Sequence, residues 1–404
     1  MKFVHVADAH IGSWRDPKLK ELSIEAFKES IDFTIQKKAD FYIIAGDLFH
    51  TALPGIDHVK ETVKQLKRLK NENIPVYFIA GSHDYSPSGK TMLDVIEEAG
   101  LGVNVMKGEI ENEKLNLEFI EDEKTKTKLV GINGLKGMLD KHTYEEINKE
   151  ELEKEEGFKI FLFHTSLDEL KPKHLEMIQS YSTNMLPKGF NYYAGGHIHI
   201  TEQKTIDGYQ NIIYPGPLFP ANFSELEKLK QGSFYYYENG NITKQPITTK
   251  QVISEEIESK ENTPEEIITK TEQKLLQKEV KNKIILIRIT GTLKTGTIKD
   301  VDLTNLIKKL QEKGSYYVMK STTKLQSPST LDEQEHKENT EEDIIKEYTN
   351  QVPNNFKDEI KTTLELIKTF SQEKNEAEKN TDYEERIKQD ADTTIKQNTK
   401  TINP

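Results

Sequence analysis

Short apolar runs and amphipathic stretches alternate along the first 245 residues of the chain. The apolar runs Phe3–Val6, Phe41–Ala45 and Val76–Ala80 have the length of buried strands. Between the first two, apolar residues recur at helical spacing from Leu22 to Ile35. Further strands are predicted at Lys128–Ile132, Ile160–Phe163, Tyr192–Ala194, Asn211–Tyr214 and Ser233–Tyr237. This order predicts an α/β domain over residues 1–245.

An alternating pattern precedes the strand predicted at Lys128–Ile132. Leu115, Leu117 and Phe119 are apolar, with a polar residue between each pair. Alternation of this kind is typical of a strand with one buried face, so the segment is predicted to be the antiparallel partner of Lys128–Ile132.

The pattern changes after residue 245 and predicts a small α+β cap domain over residues 246–324. Thr263-Pro264-Glu265-Glu266 is typical of a helix start, with proline at the first helical position and acids in the first turn. A strand at Ile284–Ile289, a helix at Asp302–Lys313 and a strand at Tyr316–Met319 follow. Several cap cations could contact phosphate groups, or could form an ordinary lysine-rich surface: Lys281, Lys283, Arg288, Lys294 and Lys299.

The last 80 residues differ from the rest in their pattern. Residues 325–340 are polar and predict a linker. Over residues 341–372, apolar stripes at Ile344–Tyr348 and Phe356–Phe370 predict two amphipathic helices, which either bind a partner groove or fold back on the cap. Few apolar residues occur over 373–404, which predicts a disordered tail.

The composition narrows the environment and the class of protein. The 404 residues contain no cysteine, which excludes disulfides and thiolate metal sites and fits a reducing cytoplasm. No secretory leader and no membrane-length apolar run are visible, so we expect a cytoplasmic protein that does not enter a membrane. The net charge of −12 argues against sequence-independent nucleic-acid binding over the whole surface, but it leaves DNA open as a substrate.

Side chains that commonly bind metal ions follow several of the predicted strands. The stretches are Asp8-Ala9-His10, Gly46-Asp47-Leu48-Phe49-His50, Gly81-Ser82-His83-Asp84, His164 and Gly195-Gly196-His197-Ile198-His199. Strand ends of an open α/β sheet meet at one edge, and residues two apart on an extended segment point the same way. The side chains are therefore predicted to converge on one site.

Two interpretations of these residues compete. Any one histidine alone is better explained as a strand cap or a core residue. Together, however, six of the eleven histidines follow apolar strands, which favours a shared site. Carboxylates and imidazoles without thiolates suit Mn²⁺, Fe²⁺ or Zn²⁺, and a carboxylate that bridges two ions would suit phosphoryl transfer.

The ordered motifs D-x-H, G-D, G-x-H-D, H and G-H-x-H resemble those of the calcineurin-like metallophosphoesterases over residues 1–240. His50, in Gly-Asp-Leu-Phe-His, resembles more closely the archaeal repair nucleases of the meiotic-recombination-eleven type. The resemblance implies a calcineurin-like β-sandwich flanked by helices, with a small α+β capping domain that contacts DNA and a helical C-terminal tail.

The same resemblance implies a role for each residue and two divalent ions per subunit, with Mn²⁺ expected. Asp8, His10, Asp47 and His199 would hold one ion, and Asp47, Ser82, His164 and His197 would hold the other. His83 would be the general acid, Asp84 would orient it, and His50 would place the scissile phosphate. One departure matters, because the family usually has asparagine where this chain has Ser82, and a hydroxyl reaches less far than an amide oxygen.

The implied function is that of a double-strand-break repair nuclease with 3′–5′ exonuclease activity on double-stranded ends and endonuclease activity on single strands. Its implied partners are DNA ends, single strands and hairpins, a coiled-coil SMC-like ATPase bound by the helices of residues 341–372, and a second copy of the chain. Two alternatives stay open at this point: a calcineurin-like phosphoesterase that acts on other substrates, and a weakly catalytic scaffold that tethers the ATPase to DNA.

Overall fold

The structure, a computed structural model, describes residues 1–86, 89–135, 139–172, 179–328, 359–372 and 380–398. The chain divides into two compact units, Met1–Pro328 and Ser329–Pro404. Within the described ranges, no helix has both the length and the apolarity needed to cross a bilayer.

The described strands and helices are numbered in chain order. The strands are β1 (Lys2–Val6), β2 (Phe41–Ala45), β3 (Val76–Ile79), β4 (Val103–Asn104), β5 (Gly108–Glu111), β6 (Lys114–Leu117), β7 (Ile120–Glu121), β8 (Lys128–Gly131), β9 (Lys159–His164), β10 (Tyr192–Gly196), β11 (Thr201–Ile206), β12 (Tyr209–Pro215), β13 (Gly232–Glu238), β14 (Asn241–Ile247), β15 (Val252–Glu258), β16 (Ile284–Thr292) and β17 (Tyr317–Gln326). The helices are α1 (Pro17–Lys37), α2 (Ile56–Asn71), α3 (Met92–Glu98), α4 (Lys141–Glu146), α5 (Lys149–Lys154), α6 (Phe223–Leu229), α7 (Pro264–Leu276), α8 (Thr304–Glu312), α9 (Glu359–Phe370) and α10 (Asn380–Asn398).

Two six-stranded sheets pack face to face in the first unit. Their orders are β14-β13-β1-β2-β3-β4 and β11-β12-β10-β9-β8-β7. The apolar layer between them includes Phe3 and Phe41 from one sheet and Ile160 and Tyr192 from the other, and the Phe3 and Tyr192 rings lie edge to face at 5.0 Å. Helices α1 to α3 cover the outer face of the first sheet. The predicted β-sandwich flanked by helices is therefore confirmed.

Parallel pairing at the centre of each sheet sets the position of the functional loops. β1, β2 and β3 run parallel to one another, as do β8, β9, β10 and β12. The carboxyl ends of neighbouring parallel strands lie at one edge of a sheet, which is where open α/β folds place their ligands. The predicted site residues lie in the loops after β1, β2, β3 and β10 and at the last residue of β9.

The partner predicted for the Lys128 strand was wrong. β8 pairs antiparallel with the short strand β7, whereas β6 forms a separate hairpin with β5. The alternation of Leu115 and Leu117 correctly marks a strand with one buried face, because both side chains are buried. Alternation identifies a strand but carries no information about which neighbour it pairs with.

The cap residues form a three-stranded parallel sheet, β15-β16-β17, with α7 and α8 in the connections. The predicted start of α7 is confirmed, since Thr263 and Glu266 form a reciprocal capping box. Ile284 and Leu286 belong to the same apolar cluster as Leu19 and Leu22 of α1, and the Tyr316 hydroxyl donates to the carbonyl of Lys18, so the cap shares a core with the helical side of the first sheet. Strand β17 continues to Gln326, two residues into the predicted linker. The domain limits of 1–245 and 246–324 stay predictions.

The second unit contains the two helices α9 and α10. Helix α9 lies within the segment predicted to be helical, and residues 329–358 lie outside the described part of the chain. The prediction of a disordered tail over 373–404 was wrong for Asn380–Asn398, which is helical. Ile387 and Ala391 of α10 are buried, and the Tyr383 hydroxyl donates to the carbonyl of Gln372. A low apolar content is enough here, because the few apolar side chains are spaced to share one face.

Candidate metal centre

The loops after β1 and β2 hold their polar residues in an unusual backbone conformation. Asp8, His10 and Asp47 have φ angles of 50°, 41° and 52°, in the left-handed region that costs a non-glycine residue about 1 kcal/mol or more. Two backbone hydrogen bonds lock the loops together: Asp8 N–H donates to Gly46 O and His10 N–H to Asp47 O. Strain of this kind concentrates at functional sites, where the surrounding structure holds it in place.

Asp8, Asp47 and His164 converge although they come from the carboxyl ends of three different strands, β1, β2 and β9. His164 Nε2 lies 3.1 Å from Asp47 Oδ2 and 4.0 Å from Asp8 Oδ1. The His164 Nδ1–H donates to the carbonyl of Ala45 at 2.8 Å, which turns Nε2 towards the two carboxylates. All three side chains are buried. The structure thus brings Asp47 and His164 together, and their shared role as metal ligands stays a prediction.

His10 and His199 close the other side of the same site. Their Nε2 atoms lie 2.8 Å apart, and His199 Nε2 lies 3.8 Å from Asp8 Oδ1. Asp47 Oδ2 lies 3.7 Å from His10 Nε2, so Asp47 stands between this pair and His164. Asp8, Asp47, His10 and His199 are the four residues predicted to hold one ion, and the structure brings them together.

His197 contacts the site through both its backbone and its ring. Its backbone N–H donates to both carboxylate oxygens of Asp8, at 2.9 and 3.2 Å, and its φ angle of 99° is again left-handed. Its ring lies 5.2 Å from the ring of His164, centroid to centroid. The side chain therefore stands beside the predicted second ion site. The backbone contact with Asp8 was not predicted, because nothing in the sequence indicates which N–H a carboxylate will accept from.

Two glycines allow these strands to approach so closely. A Cβ at Gly46, where φ is 85°, would lie 2.2 Å from His164 Nδ1. A Cβ at Gly196 would lie 2.2 Å from the carbonyl oxygen of Ala45. Real Cβ atoms do not come so near to other heavy atoms, so any side chain at either position would push the two sheets apart at the site.

His83 and His50 stack beside the His10 ring, with their ring centroids 5.3 Å apart. The His83 backbone N–H donates to Asp47 Oδ1 at 2.7 Å, and its Nδ1–H donates to the carbonyl of His50 at 2.9 Å. This bond engages Nδ1 of His83 and fixes the direction of its Nε2. Nitrogen atoms of His10, His50 and His83 lie within 4.8 Å of one another.

The structure places Asp84 differently from the prediction that it orients the His83 ring. Its two carboxylate oxygens accept hydrogen bonds from the backbone N–H groups of Phe49 and Gly81. The carbonyl of His50 contacts the ring nitrogen of His83 instead. Asp84 therefore ties the loop after β3 to the loop after β2. The sequence could not reveal these contacts of Asp84, because the side chains of adjacent residues in a turn point in different directions.

Ser82 is buried in the turn between Gly81 and His83. Both neighbours approach Asp47: a Cβ at Gly81 would lie 2.3 Å from Asp47 Oδ1, and the His83 N–H binds the same oxygen. Ser82 is thus close to the site along the chain. Whether its hydroxyl serves as a ligand stays a prediction.

The electrostatics of the site suit a bound cation. Burial raises the pKa of Asp8, and burial together with Asp47 raises the pKa of Asp84 to about 7. Burial opposes the charged form of His164, but the carboxylates of Asp47 and Asp8 and the carbonyl of Ala45 together outweigh burial and raise the pKa of His164 to about 10. The buried carboxylates therefore stabilise positive charge at the site. When no metal ion is bound, protonated imidazoles carry that charge.

The atoms of the site fit a divalent metal ion better than a hydrogen-bonded core. His164 Nε2 is buried and faces carboxylate oxygens, Asp47 Oδ2 at 3.1 Å and Asp8 Oδ1 at 4.0 Å, without a well-aligned hydrogen bond to either within the described residues. The imidazole nitrogens of His10 and His199 point at each other, as ligands of one cation do. Nitrogen and carboxylate oxygen donors without sulfur are typical of Mn²⁺, Fe²⁺ or Zn²⁺ sites.

One residue of the site was missed by the sequence analysis. Glu225 Oε1 lies 3.0 Å from His199 Nδ1, opposite the nitrogen that faces His10. A signal existed, because Asn222 and Glu225 have the spacing of a helix start, and the Asn222 side chain does cap α6. That spacing indicates a helix but not what its third residue contacts.

Two other sequence features lie outside the site. The Trp14 indole donates to the carbonyl of Pro220, and its ring lies 6.5 Å from that of Phe219, so it packs against the chain. Arg288, one of the cap cations considered for phosphate contact, is buried and bonded to Glu227. It is therefore not part of an open cationic surface.

Comparison with known proteins agrees with this geometry. The family profile described as Calcineurin-like phosphoesterase matches residues 1–201, and this region of the chain belongs to that family. The predicted resemblance is thereby confirmed.

Three curated relatives, each called DNA double-strand break repair protein Mre11, are similar to this chain. The protein from Archaeoglobus fulgidus is 30% identical over 57% of this chain and 52% of its own length. The Methanococcus maripaludis protein is 32% identical over 59% and 62%, and the Sulfolobus acidocaldarius protein is 27% identical over 76% and 78%. The chain thus spans about half the length of the Archaeoglobus fulgidus protein and about three fifths of the length of the Methanococcus maripaludis protein.

Proposed function

We propose that this chain is the nuclease of a DNA double-strand-break repair complex and hydrolyses DNA phosphodiester bonds with two divalent metal ions, Mn²⁺ being the working metal. The observation that carries the proposal is the convergence of Asp8, Asp47 and His164 with the facing imidazoles of His10 and His199. The repair role rests on the names of the curated relatives.

The residues divide into two ligand sets that share Asp47. Asp8, His10, Asp47 and His199 would hold one ion, and Asp47, Ser82, His164 and His197 would hold the other. When bound, the two ions stabilise charge on the phosphate oxygens and lower the pKa of water at the site. The distances of 3.1 and 3.7 Å from Asp47 Oδ2 to His164 and His10 support a bridging position for Asp47.

His83 protonates the leaving oxygen in this proposal. Its Nδ1–H is engaged by the His50 carbonyl, so the ring cannot rotate freely and Nε2 has a fixed direction. General acid catalysis by a positioned side chain of this kind contributes roughly 10²–10⁴-fold to the rate. His50 stacks on the His83 ring, which supports a role for it in placing the phosphate beside His83.

The proposed activities are 3′–5′ exonuclease action on double-stranded ends and endonuclease action on single strands and hairpins. The test compares a single-stranded and a 3′-recessed DNA with a small nitrophenyl phosphodiester, each with Mn²⁺. Asp47→Asn should lower both rates by about 100-fold or more, because bound ions supply several kcal/mol of transition-state stabilisation. Asp32→Asn, which alters an exposed ion pair with Arg68, is the matched control and should leave the rates unchanged.

The outcomes of this test separate the three candidate functions. Cleavage of DNA that Asp47→Asn abolishes supports the nuclease. Turnover of only the small diester would identify a phosphoesterase with another substrate. No turnover of either, together with binding of DNA and the ATPase, would identify a tethering scaffold.

The proposed partners are a coiled-coil SMC-like ATPase and a second copy of the chain. Ile367 and Phe370 of α9 are exposed although α10 packs against that helix, which supports a partner groove for the ATPase. Ile56 of α2 and Val95 of α3 are exposed apolar side chains, which supports a dimer contact through the first helices. Phe370→Asp should weaken ATPase binding, whereas Ile56→Asp should lower the mass measured by light scattering.

A further inference from the structure

Helix α6 contacts both the metal centre and the cap, although it is only seven residues long. The inner contact is made by Glu225, whose Oε1 lies 3.0 Å from His199 Nδ1. The outer contact is made two residues later by Glu227, which binds Arg288 of the cap strand β16. Both contacts involve charged side chains with defined partners.

The inner contact fixes the His199 imidazole. A carboxylate can only accept, so His199 Nδ1 carries the proton and Nε2 is the nitrogen that faces His10 at 2.8 Å. Glu225 is itself held, because its Oε2 accepts from the Ala221 N–H at 2.9 Å and Asn222 bonds its other oxygen. A carboxylate behind a metal-binding histidine sets the tautomer and the direction of the ring.

The outer contact fixes the helix to the cap. Arg288 Nε lies 2.8 and 2.7 Å from the two carboxylate oxygens of Glu227, and Arg288 is 6% exposed. The same guanidinium donates to Ser224 Oγ at 3.4 Å and lies 4.9 Å from the centre of the Phe223 ring. One cap side chain therefore contacts three residues of α6.

The position of so short a helix depends on its anchors, because one or two turns are not stable on their own. Leu226, between Glu225 and Glu227, is buried in the core of the first unit. The helix is thus held from the core, from the metal centre and from the cap. A displacement at the cap contact would move the carboxylate that orients His199.

We propose that Glu225 is a positioning residue for the metal-binding imidazole of His199, and that the cap, through Arg288, holds α6 where Glu225 can perform this role. The proposal rests on the metal centre described under Proposed function. It makes metal affinity depend on a cap residue that contacts no ligand of the metal.

The inner contact is tested by Mn²⁺ titration of the full chain in a calorimeter. Glu225→Ala should weaken binding at one site by roughly 10- to 100-fold, as loss of a carboxylate behind a metal-binding histidine typically does. Glu225→Gln should stay closer to wild type, because its amide oxygen can still accept from Nδ1–H. With Co²⁺ in place of Mn²⁺, Glu225→Ala should also change the visible absorption spectrum of the bound ion, which a remote structural change would not.

The outer contact is tested with a cap variant and a matched control. The double variant Glu227→Met/Arg288→Met removes the pair without leaving a buried charge alone, and should weaken Mn²⁺ binding in the same direction as Glu225→Ala. The control is Lys309→Met, which breaks an ion pair with Glu272 that lies wholly within the cap. It should leave Mn²⁺ affinity unchanged.

The possible failures are distinguishable. Wild-type protein that binds no Mn²⁺ would overturn the proposed metal centre itself. Wild-type affinity in Glu225→Ala would overturn the positioning role while leaving the metal centre intact. If Glu225→Ala binds weakly but the double variant matches Lys309→Met, the cap connection is wrong. Circular dichroism of each variant verifies the fold. If the double variant does not fold, Glu227→Gln replaces it and should likewise weaken Mn²⁺ binding.

Discussion

The Nε2 atoms of His10 and His199 lie 2.8 Å apart, although 189 residues separate them in the chain. Each nitrogen has a neighbouring carboxylate, since Asp47 Oδ2 lies 3.7 Å from His10 and Asp8 Oδ1 lies 3.8 Å from His199. Two imidazole lone pairs directed at one another at this distance repel each other unless a proton or a cation lies between them. This relationship is the basis of the predictions about metal binding.

His83→Ala should separate catalysis from metal binding. The contact between His83 and Asp47 uses the backbone N–H, which the substitution retains. The ring, and with it the proposed general acid, is lost. We expect the DNA cleavage rate to fall by about 10²- to 10⁴-fold while the Mn²⁺ affinity stays within a few-fold of wild type. An equal loss of affinity in the titration would show that His83 acts as a ligand instead.

Ser82→Asn should strengthen the second metal site. The longer amide side chain would place a neutral oxygen farther into the site than the buried hydroxyl of Ser82 reaches. One added ligand contact of about 1.4 kcal/mol corresponds to a tenfold increase in affinity. Titration with Mn²⁺ should therefore show one site tightened by about tenfold and the other unchanged. Weaker binding at either site would indicate that the amide does not fit this turn.

Metal binding should release protons. Burial opposes the charged forms of His164 and His199, but nearby carboxylates raise the pKa of His164 to about 10 and that of His199 to about 9. Both rings therefore carry a proton at pH 7 when no cation is bound, and a metal ligand must give it up.

The apparent Mn²⁺ affinity should consequently fall as the pH is lowered from 8 to 6, approaching about 100-fold per pH unit if both protons leave together. Calorimetry in buffers with different ionisation enthalpies measures the number of protons released. An affinity that does not change over this range would contradict the protonated state of the two rings.

His5 should limit stability in acid, independently of the metal. It is fully buried between the sheets, where Nδ1 lies 3.0 Å from the Tyr192 hydroxyl, and burial lowers the pKa of His5 to about 3. Because the folded-state pKa lies below the usual value near 6.5, the neutral form is stabilised. This contribution is present above pH 6.5 and is lost as the pH falls towards 3.

His5→Gln should therefore lose less stability than wild type between pH 6.5 and 4, even if it is less stable at pH 7. Urea unfolding at several pH values gives the comparison. The same pH dependence in both proteins would assign the acid sensitivity to other groups.

The sequence predicted the buried strands of the first unit well, because these are compact apolar runs between polar loops. It missed β4, β5, β7, β11, β14 and β15, which are short or consist mostly of exposed and half-buried residues. β2 was placed at its observed limits, and β3 was one residue too long. The candidate site residues followed from the same pattern, since side chains that commonly bind metal ions stood directly after buried strands. The α10 helix was missed because a surface helix with few buried residues, such as Ile387, resembles a disordered segment in composition.

Chain order and residue type alone thus determined that Asp8, Asp47, His164 and His199 stand at strand ends and belong to one family motif. The tertiary structure decided which atoms meet: that His199 turns Nε2 to His10 and Nδ1 to Glu225, and that Asp84 bonds Phe49 and Gly81. Local sequence governs the period of buried positions within an element. Contacts between elements depend on how the two sheets and the cap pack, and that packing is a property of the whole folded chain.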